Sequence, residues 1–381
     1  MFLEVYLLIQ VALIPVYIRE FQLSFLEASL VATAPSLVQL LMNIPSGFLA
    51  DRFKTKHLLF ASMMIEGLSA LLVSQTTNFW TLVLGVSVMR ASSPIYHISG
   101  LSQISRVVRR EQISRSMGFH NALGSLGSAI GGVSLAVFLS TLGWRWTYLF
   151  WAIPILTWGF IILKSSQLET GRFGERGSEK GGGRFKRLSL VFSAGFLIFL
   201  VAIGIREMGV TGTQTFMTTY LVEVRGTSEA AASLIFGLGP FMGIVGSLNG
   251  GYLGERIGAK KALSLSILGC AISLSALSLS TQVYMLLLIY LLYAFFTNSV
   301  WSPMNTIVAD ITPITVRGLS FSVYFFTEGL IKSVTPTIAA EVIGFSGIWY
   351  IFPYSIIFLV ISLGTLQLLP YSRRRGLKEN L

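Results

Sequence analysis

The sequence predicts an all-α membrane protein of twelve transmembrane helices, arranged as two related six-helix bundles. Three observations carry that prediction. Charged residues make up 12% of the 381 positions and hydrophobic residues 53%, with a mean hydropathy of +0.71; a water-soluble globule of this size could not cover such a surface. The apolar residues gather into stretches of bilayer-spanning length, about 17 to 25 residues or more, divided by short polar punctuation. Finally, the charged decapeptide GFLADRFKTK at 47–56 is written again as GYLGERIGAK at 251–260.

The twelve stretches are 2–18, 23–49, 57–74, 79–104, 113–141, 145–164, 189–222, 229–254, 261–280, 283–309, 315–342 and 346–369. The first lacks a basic leader and a small-residue cleavage site and carries Glu4 instead, so it is expected to stay as a span. In hydrocarbon every backbone N–H and C=O needs a partner inside the protein, so spans this long are helices. A β-barrel would show alternating segments of roughly ten residues, which are not seen. The longer stretches are expected to tilt or to project beyond the lipid. Between the sixth and seventh runs KSSQLETGRFGERGSEKGGGRFKRLS, whose glycines and mixed charges read as a flexible linker. The expected organisation is a bundle at 1–164, a linker at 165–188, a second bundle at 189–370 and a basic tail at 371–381.

Orientation follows from the basic residues. With the N-terminus and all even-numbered turns in the cytoplasm, the opposite side receives only Arg19, Arg145 and Arg225, and Arg90, Arg206 and Lys332 lie within spans, out of 28 Lys and Arg. That asymmetry predicts cytoplasmic N- and C-termini. It also accounts for the net charge of +11 through loops that face anionic lipid, without invoking nucleic acid. Cys270 is the sole cysteine, which excludes an intrachain disulfide.

The repeated decapeptide follows the second span of each half, the arrangement of transporters built from structural repeats. Here the residues carry a family resemblance: GFLADRFKTK and GYLGERIGAKK resemble the loop signature of the major facilitator superfamily, found between helices two and three and between eight and nine. The likeness extends over the whole chain. LGVSVMRASSPIYH resembles the family's fourth-helix pattern with Arg90 in mid-membrane, although Ser93 and Pro94 stand where Gln-Gly is usual. GSAIGG at 127–132 resembles the Gly-Pro-x-x-Gly-Gly element of antiporters, with Ser128 for proline. With YHISGLSQISR and IREMGVTGTQTF, these stretches are most similar to the drug-export and fosmidomycin-resistance-like branches. The resemblance implies a cavity lined by spans 1, 4, 7 and 10, a half-to-half interface of spans 2, 5, 8 and 11, and a periphery of spans 3, 6, 9 and 12.

Within the repeated motif, Gly47, Gly250, Gly251 and Gly254 would let helices approach closely. Asp51 and Glu255 sit where they could meet the positive N-terminal ends of helices 11 and 5. Asp51 is thus a candidate latch between the halves, supported by Arg52, Lys54 and Lys56, with Glu255 and Arg256 as the second-half counterparts. The competing reading is a capped, positive-inside turn. Lys54 occupies the usual glycine position of the first copy, while the second keeps Gly258.

Ionisable residues within spans are costly and need a partner or water. Arg90 and His97 lie two turns apart on one face of span 4, and His120 on span 5 falls at a similar depth. A histidine there could carry a proton or simply tie helices together. In span 7, Arg206 and Glu207 are adjacent; the stripe Glu207, Thr211, Gln214, Thr218 is polar, and Gly204, Gly209 and Gly212 suggest close packing or unwinding. Span 11 sets Glu328 four residues before Lys332, the spacing of an intrahelical pair, with Tyr324 on the same stripe. Span 10 offers Tyr290, Ala294, Asn298, Trp301 and Asn305 as one wall, and span 1 offers Tyr6 and Gln10. Glu4 lies on another face of span 1, and Glu66, in the peripheral span 3, reads as structural.

The solute and proton candidates are therefore Tyr6, Gln10, Arg90, His97, His120, Arg206, Glu207, Gln214, Asn298, Trp301, Asn305, Tyr324, Glu328 and Lys332. Neither a nucleotide-binding Gly-Lys-Ser/Thr loop nor a His-x-x-x-His or Cys-x-x-Cys pattern is written, and a channel's repeated filter is missing. The expected function is secondary active transport of a small amphipathic organic solute, driven by a proton gradient and outward in direction. Uptake or exchange of an organic anion through Arg90, Arg206 and Lys332 is the alternative. No enzymatic activity, cofactor, metal or nucleic-acid partner is expected, and a monomer in the plasma membrane would suffice.

Overall fold

The computed structural model describes residues 1–107, 113–165, 192–313 and 316–370, and every regular element among them is helical. In chain order these are α1 (Val5–Ala12), α2 (Ile14–Phe21), α3 (Phe25–Arg52), α4 (Thr55–Ser74), α5 (Phe79–Val107), α6 (Ile113–Thr141) and α7 (Trp144–Lys164). There follow α8 (Ala194–Glu223), α9 (Glu229–Ile257), α10 (Ala259–Leu279), α11 (Val283–Ser299), α12 (Trp301–Ile311), α13 (Arg317–Ser346) and α14 (Ile351–Gln367). Each predicted span has a helical counterpart. Nine helices among the described residues are long and apolar enough to cross a bilayer, and α1 with α2 forms a tenth candidate across a 54° bend. The remaining two, α5 and α13, have 29 and 30 residues and so reach about 45 Å at the α-helical rise. The predicted linker from residue 166 onward and the basic tail lie outside the described residues.

The burial pattern is that of a protein in lipid. On α4, Ser62, Glu66, Ser69 and Ser74 are buried whereas Leu68 and Leu72 are exposed. On α10, Ser266, Cys270 and Ser273 face inward, while Leu265, Leu268 and Ile272 face outward. On α14, Ser355 and Ser362 are inside, with Ile357, Val360 and Ile361 outside. Water would drive the reverse. Small polar residues between helices, with leucine and isoleucine outward, is the arrangement expected where the surrounding solvent is hydrocarbon.

Two spans are broken by proline. Pro15 has no N–H to give the Val11 carbonyl, and the first span breaks at Leu13 between α1 and α2. The hydroxyl of Thr218 on α8 donates to that carbonyl at 3.3 Å, so the freed acceptor finds its partner on another helix, as lipid requires. Likewise Pro303 cannot serve the Ser299 carbonyl, and the tenth span breaks at Val300 between α11 and α12. The expected continuous wall from Tyr290 to Asn305 is therefore divided, with Tyr290, Ala294 and Asn298 on α11 and Trp301 and Asn305 on α12.

The chain groups into two compact units: Met1–Ser178, Gln214–Phe241 and Lys332–Tyr350 form one, and Glu179–Thr213, Met242–Ile331 and Ile351–Leu381 the other. In the first unit the opening helices hold one end each of α8, α9 and α13. Arg19 pairs with Glu229 at 2.5 Å, Thr33 and Thr337 share a hydrogen bond of 2.9 Å, and Phe25 meets Phe216 edge-on. Gly132 on α6 lies against Gly237 on α9 with no room for a Cβ on either, and Gly127 and Gly131 abut the Met1 and Val5 carbonyls. The GSAIGG element thus allows backbone contact on two sides. In the second unit, Gly246 and Gly250 lie on the Phe295 and Ser299 carbonyls. The Ser355 hydroxyl donates to the Gly209 carbonyl at 2.7 Å. Gly204 and Gly209 therefore serve close packing, against Ile331 and the Ser355 carbonyl, and α8 runs without unwinding from Ala194 to Glu223.

The repeated motif makes two different turns. In the second copy Gly258 takes φ 92°, a backbone that favours glycine. In the first, Lys54 is extended with φ −62° and ψ 136° as the N-cap of α4, so a lysine is tolerated. The expectation that Gly47 permits close helix approach is corrected: a Cβ there would meet nothing within 4 Å.

Candidate functional site

Each unit builds a buried ionic cluster. In the first unit α5 supplies Arg90, Ser92, Tyr96 and His97, the turn before α1 supplies Glu4, α4 supplies Glu66 and α6 supplies His120. His97 Nε2 lies 2.7 Å from Glu4 Oε1, with side-chain exposures of 35% and 16%. The His97 and His120 rings stand edge-on with centroids 5.8 Å apart, and Tyr96 stacks on His120 at 5.9 Å. Ser128 donates to the Glu4 carbonyl at 3.1 Å, fixing the turn that carries the acid. Arg90 interacts electrostatically with both Glu4 and Glu66. Glu66, 3% exposed, is 2.8 Å through Oε2 from the Ser92 hydroxyl.

In the second unit Arg206 pairs with Glu207 and donates from Nη2 to the Thr297 carbonyl at 3.0 Å. Both are almost fully buried. Adjacent helix residues point about 100° apart, but a long guanidinium stem bridges that angle. The Cys270 sulfur lies 3.4 Å from the Thr297 hydroxyl. Glu328 is buried on α13 and shares a hydrogen bond with Tyr324 one turn earlier; Lys332, on the part of α13 that belongs to the first unit, is half-buried.

The other predicted residues divide. Tyr6 is 1% exposed, donating to the Tyr148 carbonyl at 2.8 Å and stacking on its ring at 5.2 Å. The Gln10 amide reaches the Met89 sulfur at 3.5 Å. These two side chains bind helices to each other. Gln214, Trp301 and Asn305 are half-buried; Asn298, also half-buried, returns its amide to the Ala294 carbonyl. Of the latch residues, the Asp51 side chain and the starts of the helices it was expected to meet, 111–112 and 314–315, lie outside the described residues. Arg52, Glu255 and Arg256 are exposed and Lys56 is half-buried, with the Arg256 guanidinium 4.6 Å above the Tyr252 ring. Lys260, next to the second turn, donates to the Gln367 and Leu369 carbonyls at 3.0 and 2.8 Å, capping the end of α14.

The family model of the Major Facilitator Superfamily matches residues 5–253 and again 199–380. The chain belongs to that superfamily. It is 27% identical over 341 residues to the D-xylose transporter of Levilactobacillus brevis, covering 75% of this chain and 72% of that protein. It is 22% identical over 386 residues to the putative multidrug resistance protein MdtD of Salmonella paratyphi B, covering 84% and 79%. The bacterial homologue of the human lysosomal transporter Spinster, solved in an inward-facing and occupied conformation, superposes with a TM-score of 0.79. It is 16% identical, with 97% of this chain and 93% of that chain covered. The protein is therefore a multi-pass MFS transporter and not an enzyme. Among the described residues no group of His, Cys, Asp and Glu could hold a metal. Two members of the first unit's cluster were not singled out as site residues from sequence: Glu4, one residue from a helix start, and Glu66, on a helix the family pattern places at the periphery.

Proposed function

We propose that the protein is a secondary active transporter of the plasma membrane that exports a small amphipathic organic solute by alternating access, drawing on the proton gradient. The observation that carries this reading is the Glu4–His97 contact at 2.7 Å, a carboxylate and an imidazole half-screened from water beside His120 and Arg90. A carboxylate and an imidazole in contact can hold a proton between them, and only a differential affinity of solute and proton for the two access states drives transport. The reading keeps both termini cytoplasmic, two six-helix halves and a monomer as the working unit. The names of two relatives, a D-xylose transporter and a putative multidrug resistance protein, frame the choice between neutral polyol and lipophilic solute. Anion uptake through Arg90, Arg206 and Lys332 is the less supported alternative, because Arg206 is engaged by Glu207 and the Thr297 carbonyl.

The test uses proteoliposomes containing a pH-sensitive dye, with ethidium and D-xylose as probes. Ethidium movement is expected to be accompanied by opposite proton movement, to stop when the pH gradient is collapsed, and to lose its pH dependence in His97→Asn. Movement of either probe that ignores the gradient and is unchanged by Glu4→Gln would refute proton coupling.

A further inference from the structure

The Ser92 hydroxyl lies between two oxygens. Its Oγ is 2.8 Å from Glu66 Oε2 and 2.7 Å from the Met89 carbonyl, both at full hydrogen-bond length. A hydroxyl has one hydrogen and two acceptor lone pairs, a carbonyl oxygen only accepts, and an ionised carboxylate only accepts. With Glu66 ionised, the single hydrogen would have to serve two acceptors. With Glu66 protonated, the carboxyl O–H donates to Ser92 Oγ, the Ser92 O–H donates to the Met89 carbonyl, and both contacts are ordinary bonds.

The surroundings of Glu66 bear on the same proton. Glu66 faces Arg90 on α5, Glu4 and the amino group of Met1 before α1, Tyr6 on α1 and Tyr96 on α5. α7 places Ile155 and Leu156 against the neighbouring Gly67. Arg90 carries a charge that does not titrate, and it stands near two carboxyl groups, Glu4 and Glu66. Burying a net charge at this depth is costly. A proton on Glu66 removes that cost and leaves the Ser92 hydroxyl a single acceptor, the Met89 carbonyl.

We propose that Glu66 is a proton-binding site of the first half: a neutral carboxylic acid on α4 that donates to Ser92 and exchanges its proton, with Arg90 as the counter-charge when it is ionised. Loss of the proton sets a second carboxylate beside Glu4 in the field of Arg90, which ties the state of Glu66 to the Glu4–His97 pair. The inference deepens the proton-coupled reading and rests on it only for the use of the proton in transport.

Infrared spectroscopy of the full-length protein in membranes reads the proton directly. At neutral pH the wild type is expected to show a protonated-carboxyl carbonyl band that shifts in D2O, is absent in Glu66→Gln, moves to higher frequency in Ser92→Ala and disappears as pH rises. Glu66→Gln keeps a donor toward Ser92 and is expected to retain the wild-type melting temperature, so a missing band does not reflect misfolding. In proteoliposomes the same variant is expected to move ethidium with a reduced proton flux. Carboxyl spectra of wild type and Glu66→Gln that superimpose would overturn the proposal, as would an unchanged ratio of protons to ethidium. A wild type that shows the Glu66 band but moves no protons would refute the coupling reading and leave the site standing.

Discussion

The two buried clusters are built from similar residues to opposite effect. In the second half, Arg206 and Glu207 neutralise each other within one helix, the Thr297 carbonyl takes a further guanidinium hydrogen, and both side chains are almost wholly excluded from solvent. In the first half the charges come from separate elements: Glu4 before α1, Glu66 on α4, Arg90 and His97 on α5. Its histidine is about one-third exposed. The Arg206–Glu207 pair lies on one helix and stays together when helices move, although Arg206 also meets the Thr297 carbonyl on α11 and interacts electrostatically with Glu328 on α13. A cluster spread over three elements must redistribute its charges whenever those elements shift. The comparison teaches that charge count alone does not mark a coupling site; what matters is whether the partners can separate.

The largest effect tests the closed pair. Removing one partner of a buried pair leaves an uncompensated charge, at a cost of about 3–5 kcal/mol. Arg206→Leu is therefore expected to lower the melting temperature in detergent sharply, and the double variant Arg206→Leu, Glu207→Leu to recover most of the loss. In the spread cluster, His97→Asn is expected to change melting far less, because its partner Glu4 retains solvent contact and Arg90. Equal destabilisation in the two halves would erase the distinction between them.

A smaller effect tests the two copies of the repeated turn. Gly258 sits at φ 92°, where a side chain costs about 1–3 kcal/mol, whereas Lys54 sits at φ −62°, where glycine costs only about 0.4–1 kcal/mol through the unfolded chain. Gly258→Lys is thus expected to destabilise more than Lys54→Gly, measured by thermal unfolding of the two single variants. The reverse order would show that the left-handed backbone at Gly258 does not govern the cost of a side chain in the second turn.

These contrasts bear on how much of the molecule could be read from its residues. The twelve spans were legible because hydrocarbon enforces length and apolarity, and the family because GFLADRFKTK and GYLGERIGAK occupy matching positions. The meeting of His97 and His120 was legible from depth along consecutive helices. The pairing of Glu4 with His97 was not, since a residue in a 3-10 turn before a helix has no face that span periodicity can assign. Glu66 was hidden for another reason: its partners, Ser92 and Arg90, lie on a neighbouring helix, and span order says which helices adjoin but not which side chains interlock. The breaks at Leu13 and Val300 had a visible signal in Pro15 and Pro303, but what satisfies the freed carbonyl is a tertiary fact.

That fact supplies the smallest test of the contrast between halves. The first-half break exposes the Val11 carbonyl, and Thr218 donates to it from α8 at 3.3 Å; the second-half break leaves the Ser299 carbonyl against the Cα of Gly250. Interhelical hydrogen bonds in membranes average about 0.6 kcal/mol by double-mutant cycles. Thr218→Val, which keeps the shape and removes the donor, is therefore expected to lower the melting temperature only slightly. Combined with Pro15→Ala, which gives Val11 an intrahelical donor again, it should cost nothing further. If the threonine substitution costs as much in the Pro15→Ala background as in the wild type, the hydroxyl does not serve the broken helix, and the bend at Leu13 is held by packing alone.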